Sequence, residues 1–76
     1  MHMPVTAKGD ALYTEGKYDE AIKAYDEAIK SYHNSTPSAT ALHSKGDALK
    51  SLGRTTEANA AFAKAKELGY TGDSSV

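Results

Sequence analysis

An internal repeat of 37 residues constrains the fold of this chain more than any other feature of its sequence. Residues 8–12 recur unchanged as residues 45–49, and ten of the 25 aligned pairs between residues 8–32 and 45–69 are identical. A repeat of this length is typical of proteins that stack one small supersecondary unit on the next. The chain is therefore predicted to contain two copies of one unit.

Each unit is predicted to consist of two helices that are separated by a glycine. In unit 1, Gly16 is expected to end the first helix, because glycine readily takes the left-handed conformation found just past a helix C-terminus. The second helix is predicted over Tyr18–Tyr32, where apolar residues recur three and four positions apart, as in an amphipathic helix. These apolar residues are Tyr18, Ala21, Ile22, Tyr25, Ala28, Ile29 and Tyr32.

In unit 2, the first helix is predicted over residues 37–52. Thr36 is expected to be its N-cap and Pro37 its first residue, both favoured types at those positions. Gly53 is expected to end this helix. The last helix is predicted to begin after a cap at Thr55 or Thr56.

The predicted organisation follows from these signals. Residues 1–3 are predicted to be a cloning remnant, residues 4–33 repeat 1 and residues 34–36 the inter-repeat loop. Residues 37–70 are predicted to form repeat 2, and residues 71–76 a flexible tail.

The fold class predicted from these patterns is all-α. No segment alternates apolar and polar residues with period two for any length, and β-branched residues are few. Gly9 and Gly46 lie inside predicted helices, where each costs roughly 1 kcal/mol relative to alanine. Because this cost occurs at the same place in both units, we expect a neighbouring helix to approach closely there.

The repeat resembles the tetratricopeptide repeat family over most of residues 5–70. The glycine, aromatic and alanine spacing of residues 16–28 is the most specific part of the match. Unit 1 supplies Val5, Gly9, Leu12, Gly16, Tyr18, Ala21, Tyr25 and Ala28. Unit 2 supplies Leu42, Gly46, Leu49, Gly53, Ala58, Phe62 and Ala65.

The resemblance implies four antiparallel helices in a short right-handed solenoid, with the first helix of each unit lining a concave groove. Family members commonly bind a partner peptide there. The candidate groove residues are Thr6, Asp10, Tyr13, His43, Asp47 and Lys50. A second interpretation stays open, namely that each of these is an ordinary solvated residue.

The charges of the candidate residues bear on the ligand. Some family members clamp a carboxylate with lysine and asparagine, but Asp10 and Asp47 stand at the corresponding asparagine positions, and aspartates repel a carboxylate. A basic peptide is therefore the expected ligand.

This sequence also departs from the family pattern in ways that favour an alternative role. Asn59 and Lys66 replace apolar residues in unit 2, the period is longer than the family's of about 34 residues, and no third unit follows. End helices that lack a neighbour would expose apolar residues: Val5 and Leu12 at one end, Phe62, Ala65 and Leu68 at the other. The alternative is thus a self-assembling unit that forms a homodimer, or a piece of a longer array.

The remaining chemistry of the sequence argues against other classes of protein. The chain has no cysteine and a net charge of −1 without blocks of like charge, which argues against thiolate metal sites, nucleic-acid binding and membrane-surface binding. No apolar stretch approaches the roughly 20 residues that span a bilayer. His2, His33 and His43 lack the spacing of a metal site, and no nucleophile–base pattern is present. A cytoplasmic, non-enzymatic protein without a cofactor is expected.

Overall fold

A computed structural model describes residues 7–32 and 36–69 as four helices. These are α1 (Ala7–Thr14) and α2 (Tyr18–Tyr32) in unit 1, and α3 (Thr36–Ser51) and α4 (Thr55–Glu67) in unit 2. Each helix packs against the next, α1 on α2, α2 on α3 and α3 on α4. No strand is present within the two described ranges, so the prediction of an all-α pair of helical hairpins is confirmed.

The turn between the two helices of each unit has the same hydrogen bonds in both copies. In unit 1 the N–H of Gly16 donates to the carbonyl of Tyr13 at 2.9 Å, and the N–H of Lys17 donates to the carbonyl of Leu12 at 2.9 Å. This pair of bonds defines a Schellman motif, which requires a left-handed residue at the glycine. Gly16 has φ +84° and its counterpart Gly53 has φ +81°. The prediction that both glycines end helices is confirmed.

Two predicted helix boundaries in unit 2 are wrong by small amounts. Helix α3 begins at Thr36, the residue expected to cap it, and ends at Ser51 because Leu52 already belongs to the Schellman turn. Helix α4 begins at Thr55, with Arg54 at the cap position and no side-chain capping bond, so neither Thr55 nor Thr56 is the cap. The reason is that the same turn ends α3 and starts α4, which places the cap one residue after Gly53.

The core is built mainly from alanines, which let the helices approach closely. Tyr25 is 1% exposed and is the largest fully buried side chain among the described residues. The other buried apolar residues are Ala21, Ala28, Ala39, Ala41, Ala48, Leu49, Ala58, Ala61 and Ala65. Tyr18 packs against this core at its edge. Both tyrosines belong to the apolar stripe that the sequence predicts for α2.

The glycines inside α1 and α3 lie directly under aromatic rings. A Cβ atom added to Gly9 would stand 2.4 Å from the ring of Tyr25, and one added to Gly46 would stand 2.5 Å from the ring of Phe62. These distances are far inside van der Waals contact, where two carbons lie about 3.5–4.0 Å apart. The expected close approach at both glycines is confirmed, and in each unit the approaching group is the ring at the same repeat position.

A buried hydroxyl joins the two units. Ser38, which is fully buried near the start of α3, donates a hydrogen bond of 3.1 Å to the carbonyl of Ile29 in α2. This bond satisfies a carbonyl near the end of α2, where intrahelical partners run out.

The outer side of α4 differs from the corresponding side of α2. Ile22 and Ile29 of α2 pack against the core beneath α3, whereas the equivalent α4 positions hold Asn59 and Lys66, both exposed. Helix α4 therefore presents polar groups where α2 presents aliphatic ones.

The expected apolar end faces are largely absent from the described residues. Ala65 is fully buried, against the expectation that it would be exposed, because α4 turns that side toward α3. Leu12, Phe62 and Leu68 are partly buried, and Val5 lies outside the described ranges. Leu52, at 37% exposure, is the one large exposed apolar side chain in the described part of the chain. Formation of a homodimer stays a prediction.

The remaining predictions for the chain ends and the inter-repeat loop fall on residues 1–6, 33–35 and 70–76, outside the described ranges. Across residues 7–32 and 36–69, none of the helices combines the length and apolar character needed to cross a membrane.

The ring contacts lead to a prediction about stability. Gly9→Ala should lower the free energy of unfolding by about 1–3 kcal/mol, as overpacking of a core does, because the buried ring of Tyr25 has no room to move. Gly46→Ala should cost less, since the ring of Phe62 is only partly buried and can shift outward. Urea unfolding of both variants measures this difference. An increase in stability for Gly9→Ala, as helix propensity alone predicts, would contradict the close contact.

Candidate functional site

A groove between α1 and α3 brings together three of the six predicted binding residues. Its volume is about 280 Å³. We call it the α1–α3 groove, and its lining consists of Asp10, Tyr13, Thr14, Tyr25, Ser44 and Asp47. Asp10, Tyr13 and Asp47 belong to the predicted set. The groove therefore carries one aspartate from each unit.

Asp10 is held by a residue of the core. The hydroxyl of Tyr25 donates a hydrogen bond of 2.7 Å to the Asp10 carboxylate. The ring of Tyr25 is fixed by burial against Gly9, one residue before Asp10 on the same helix. The core thus sets the position of one acidic group in the groove.

The pKa of the Tyr25 hydroxyl reflects this environment. Burial raises the pKa above its ordinary value, and the hydrogen bond to Asp10 together with the negative charge of Asp10 raises it further. The hydroxyl stays protonated across the physiological range and keeps donating to Asp10. Tyr25 is a hydrogen-bond donor here and not an acid.

Asp47 has a different neighbour, because the unit 2 counterpart of Tyr25 is Phe62, which has no hydroxyl. The Asp47 carboxylate lies 3.7 Å from Nδ1 of His43, one turn earlier on α3. The imidazole of His43 in turn lies against the ring of Phe62, with centroids 5.0 Å apart. The side chain of Asp47 is 47% exposed, so it is open to a ligand.

Tyr13, which lines the groove, contacts residues of both units. Its ring packs edge-to-face on Tyr18 with centroids 5.1 Å apart, an arrangement that aromatic pairs favour. Its hydroxyl lies 3.2 Å from Oγ of Ser51, near the end of α3. Tyr13 therefore lines the groove as an anchored aromatic and not as a freely rotating one.

The other three predicted binding residues are not among those that line the groove in the described part of the chain. His43 contacts Asp47 but is not part of the groove lining, and Lys50 is exposed on α3, also outside the lining. Thr6 lies outside the described residues.

Sequence reasoning missed three lining residues, Thr14, Tyr25 and Ser44. Ser44 was within reach of prediction because it precedes Asp47 by three positions and so shares its helix face. Tyr25 was predicted only as part of the apolar stripe of α2, and nothing in the sequence indicated that its hydroxyl reaches the groove.

Within the described ranges, no three histidine or acidic side chains are grouped closely enough to hold a metal ion. A larger cleft of about 510 Å³ lies between α2 and α4 over Leu42, bordered by Ile29 and Leu68. None of the predicted binding residues lines this cleft.

The Tyr25–Asp10 contact leads to a prediction about pH. In the unfolded chain Tyr25 ionises near its ordinary pKa of about 10, whereas in the folded chain it stays protonated. The folded state then binds more protons, so the free energy of unfolding should fall as pH rises through about 10 and be unaffected by this group at lower pH. Tyr25→Phe should remove that part of the decline. Urea unfolding between about pH 8 and 11 measures it, and an equal decline in both proteins would contradict the prediction.

The comparisons with known proteins agree with the helical repeat. The family model described as Tetratricopeptide repeat matches residues 6–71, which is most of the chain. No curated protein and no solved structure matches the chain significantly.

Proposed function

Because the chain belongs to the tetratricopeptide repeat family, we propose that it binds a basic peptide segment of a partner protein in the α1–α3 groove. Tetratricopeptide repeats are generally protein-interaction modules and are typically non-catalytic. The observation that carries the proposal is that two aspartates from different units, Asp10 and Asp47, line one groove.

The proposal is supported by the chemistry of the groove. Two carboxylates that share a concavity favour a cation, and a lysine or arginine side chain that enters it forms charge-assisted hydrogen bonds. The chain as a whole is nearly neutral, with nine basic and ten acidic residues, so the preference for a cation is local. Asp10 needs little reorganisation on binding because Tyr25 already holds it.

The polar and aromatic groups of the groove suit a main-chain segment as well as a basic side chain. Ser44 and Thr14 each carry a hydroxyl that can donate or accept a hydrogen bond. Tyr13 offers a ring face for an aliphatic stem, since lysine and arginine bury their methylene groups while their charged ends stay polar. The proposed contact set also includes His43, Lys50 and Thr6, of which Thr6 lies outside the described residues.

The role of the acidic pair can be tested with Asp47→Asn. A labelled hexapeptide of alternating lysine and alanine should bind this variant about 1.5- to fivefold more weakly, the range for a solvent-exposed ion pair. Binding should also weaken as salt is raised, because exposed charges are screened. Fluorescence anisotropy titrations at two salt concentrations measure both effects.

Asp19→Asn is the matched control, because Asp19 is exposed on the first turn of α2 and its loss changes the net charge equally. Equal weakening by the two substitutions would show a general charge effect and reject the groove. Tyr25→Phe adds a second check, since it removes the bond to Asp10 and leaves both carboxylates in place.

A further inference from the structure

The α1–α3 groove carries acidic groups without basic ones. Its described lining contains Asp10 and Asp47 and neither lysine nor arginine. The larger cleft between α2 and α4 differs, because two lysines line it together with two acidic residues. A cation that enters the α1–α3 groove therefore meets carboxylates from both units without a basic side chain of the described lining beside them.

The size of the groove limits which group of a ligand it can hold. Its volume of about 280 Å³ lies just below the range of about 300–1,000 Å³ for pockets that take a drug-sized ligand. One long side chain suits this space, whereas a folded element of a partner does not. The group that enters is thus a single cationic side chain, either lysine or arginine.

The Asp10 carboxylate is held by a group that contacts both units. The hydroxyl of Tyr25 donates to Oδ1 of Asp10 at 2.7 Å, and the same hydroxyl accepts a hydrogen bond from Ser44 of α3. Tyr25 is 1% exposed, and its ring lies against Gly9. The hydroxyl is therefore fixed in position, and it restricts rotation of the Asp10 carboxylate.

The lining also contains an aromatic ring that is held in place. The contacts of Tyr13 with Tyr18 and with Ser51 fix its ring at the edge of the groove. A guanidinium group stacks on aromatic rings and is more weakly hydrated than an ammonium group. A ring fixed beside two carboxylates therefore favours arginine.

From this geometry we infer that the α1–α3 groove selects arginine over lysine, and that Tyr25 is the residue that determines the selectivity. The inference rests on the proposed function, since it names the basic residue that the same groove binds. The guanidinium bridges Asp10 and Asp47 and stacks on Tyr13. Tyr25 does not touch the ligand and acts through Asp10, as a positioning residue.

The physical reason is a difference in rigidity between the two cations. The donors of a guanidinium lie in one rigid plane, so it loses little freedom for each hydrogen bond when the acceptors are already oriented. An ammonium is a compact, strongly hydrated charge with three rotatable donors, and it gains less from an oriented carboxylate. Fixing Asp10 therefore favours arginine more than it favours lysine.

Unit 2 shows that the hydroxyl of Tyr25 can be removed without loss of the fold. Phe62 occupies the position of Tyr25 in the repeat, and its ring makes the same contact with Gly46. Tyr25→Phe should therefore keep the helix contact while it releases the Asp10 carboxylate. The variant separates the orientation of Asp10 from its charge.

Two hexapeptides of equal length and charge test the selectivity, one of alternating arginine and alanine and one of alternating lysine and alanine. Each is titrated into the isotopically labelled full-length chain, and the amide shifts of Asp10, Tyr13 and Asp47 give the dissociation constants. The arginine peptide should bind about two- to fivefold more tightly, the factor that a cation–π contact at an exposed site gives. Asymmetric dimethylation of its arginines keeps the charge but blocks bidentate hydrogen bonding, and should reduce its affinity to that of the lysine peptide.

The role of Tyr25 is read from the ratio of the two dissociation constants. Tyr25→Phe should bring this ratio close to one, mainly by weakening the arginine peptide. Ser38→Ala is the matched control, because it also removes a buried hydroxyl that bonds to another helix, outside the groove lining. A general loss of stability weakens both peptides alike and leaves the ratio unchanged.

Failure of the inference and failure of the proposed function give different results. If neither hexapeptide shifts the groove amides, both are rejected. If the two peptides bind there with equal dissociation constants, the groove still binds a basic peptide and only the selectivity is rejected. Full affinity of the dimethylated peptide would reject the bridging guanidinium. An unchanged ratio in Tyr25→Phe, or the same loss of the ratio in Ser38→Ala, would reject the role of Tyr25.

Discussion

The contact of an aromatic ring with a glycine inside the neighbouring helix is the constraint on which both units depend. The rings of Tyr25 and Phe62 lie where side chains would stand at Gly9 and Gly46. Alanine-rich helix faces then pack at short distance around these contacts, and the core needs few large side chains. For so short a chain, in which burial on folding is limited, close helix packing supplies much of the stabilisation that a larger core would give.

The same contact links the core of unit 1 to its surface. Because the ring of Tyr25 lies on Gly9, its hydroxyl reaches the carboxylate of the next residue, Asp10. In unit 2, Phe62 makes the same ring contact without a hydroxyl, and Asp47 is accompanied by His43 instead. One difference at a repeated position therefore makes the two aspartates of the α1–α3 groove unequal, because the first accepts a hydrogen bond from Tyr25 and the second lies next to His43.

Much of the fold could be predicted because the repeat makes each unit a check on the other. The glycine spacing predicted where helices end. The spacing of apolar residues three and four positions apart predicted the first and last residues of α2 correctly. The start of α4 was misjudged because threonine is a favoured cap. Alignment with unit 1 would have placed Thr55 opposite Tyr18, the first residue of α2. No sequence pattern predicts the hydrogen bond from Ser38 to Ile29, since a serine near a helix start is as easily exposed as buried.

The candidate site could be predicted only in part, for a physical reason. Helix faces follow from spacing, and three of the predicted residues, Asp10, Tyr13 and Asp47, line one groove. Their role in binding stays a prediction. Which side chains reach into the groove from the layer behind it depends on three-dimensional packing, and Tyr25 enters in that way.

The claim that the α1–α3 groove is the peptide-binding surface is tested most directly by mapping a bound basic peptide residue by residue. Titration of the lysine–alanine hexapeptide into the labelled chain should shift the amide signals of Asp10, Tyr13, Ser44 and Asp47 together, with one saturation curve. Shifts confined to residues that border the α2–α4 cleft, such as Asp26 and Lys64, would contradict the account.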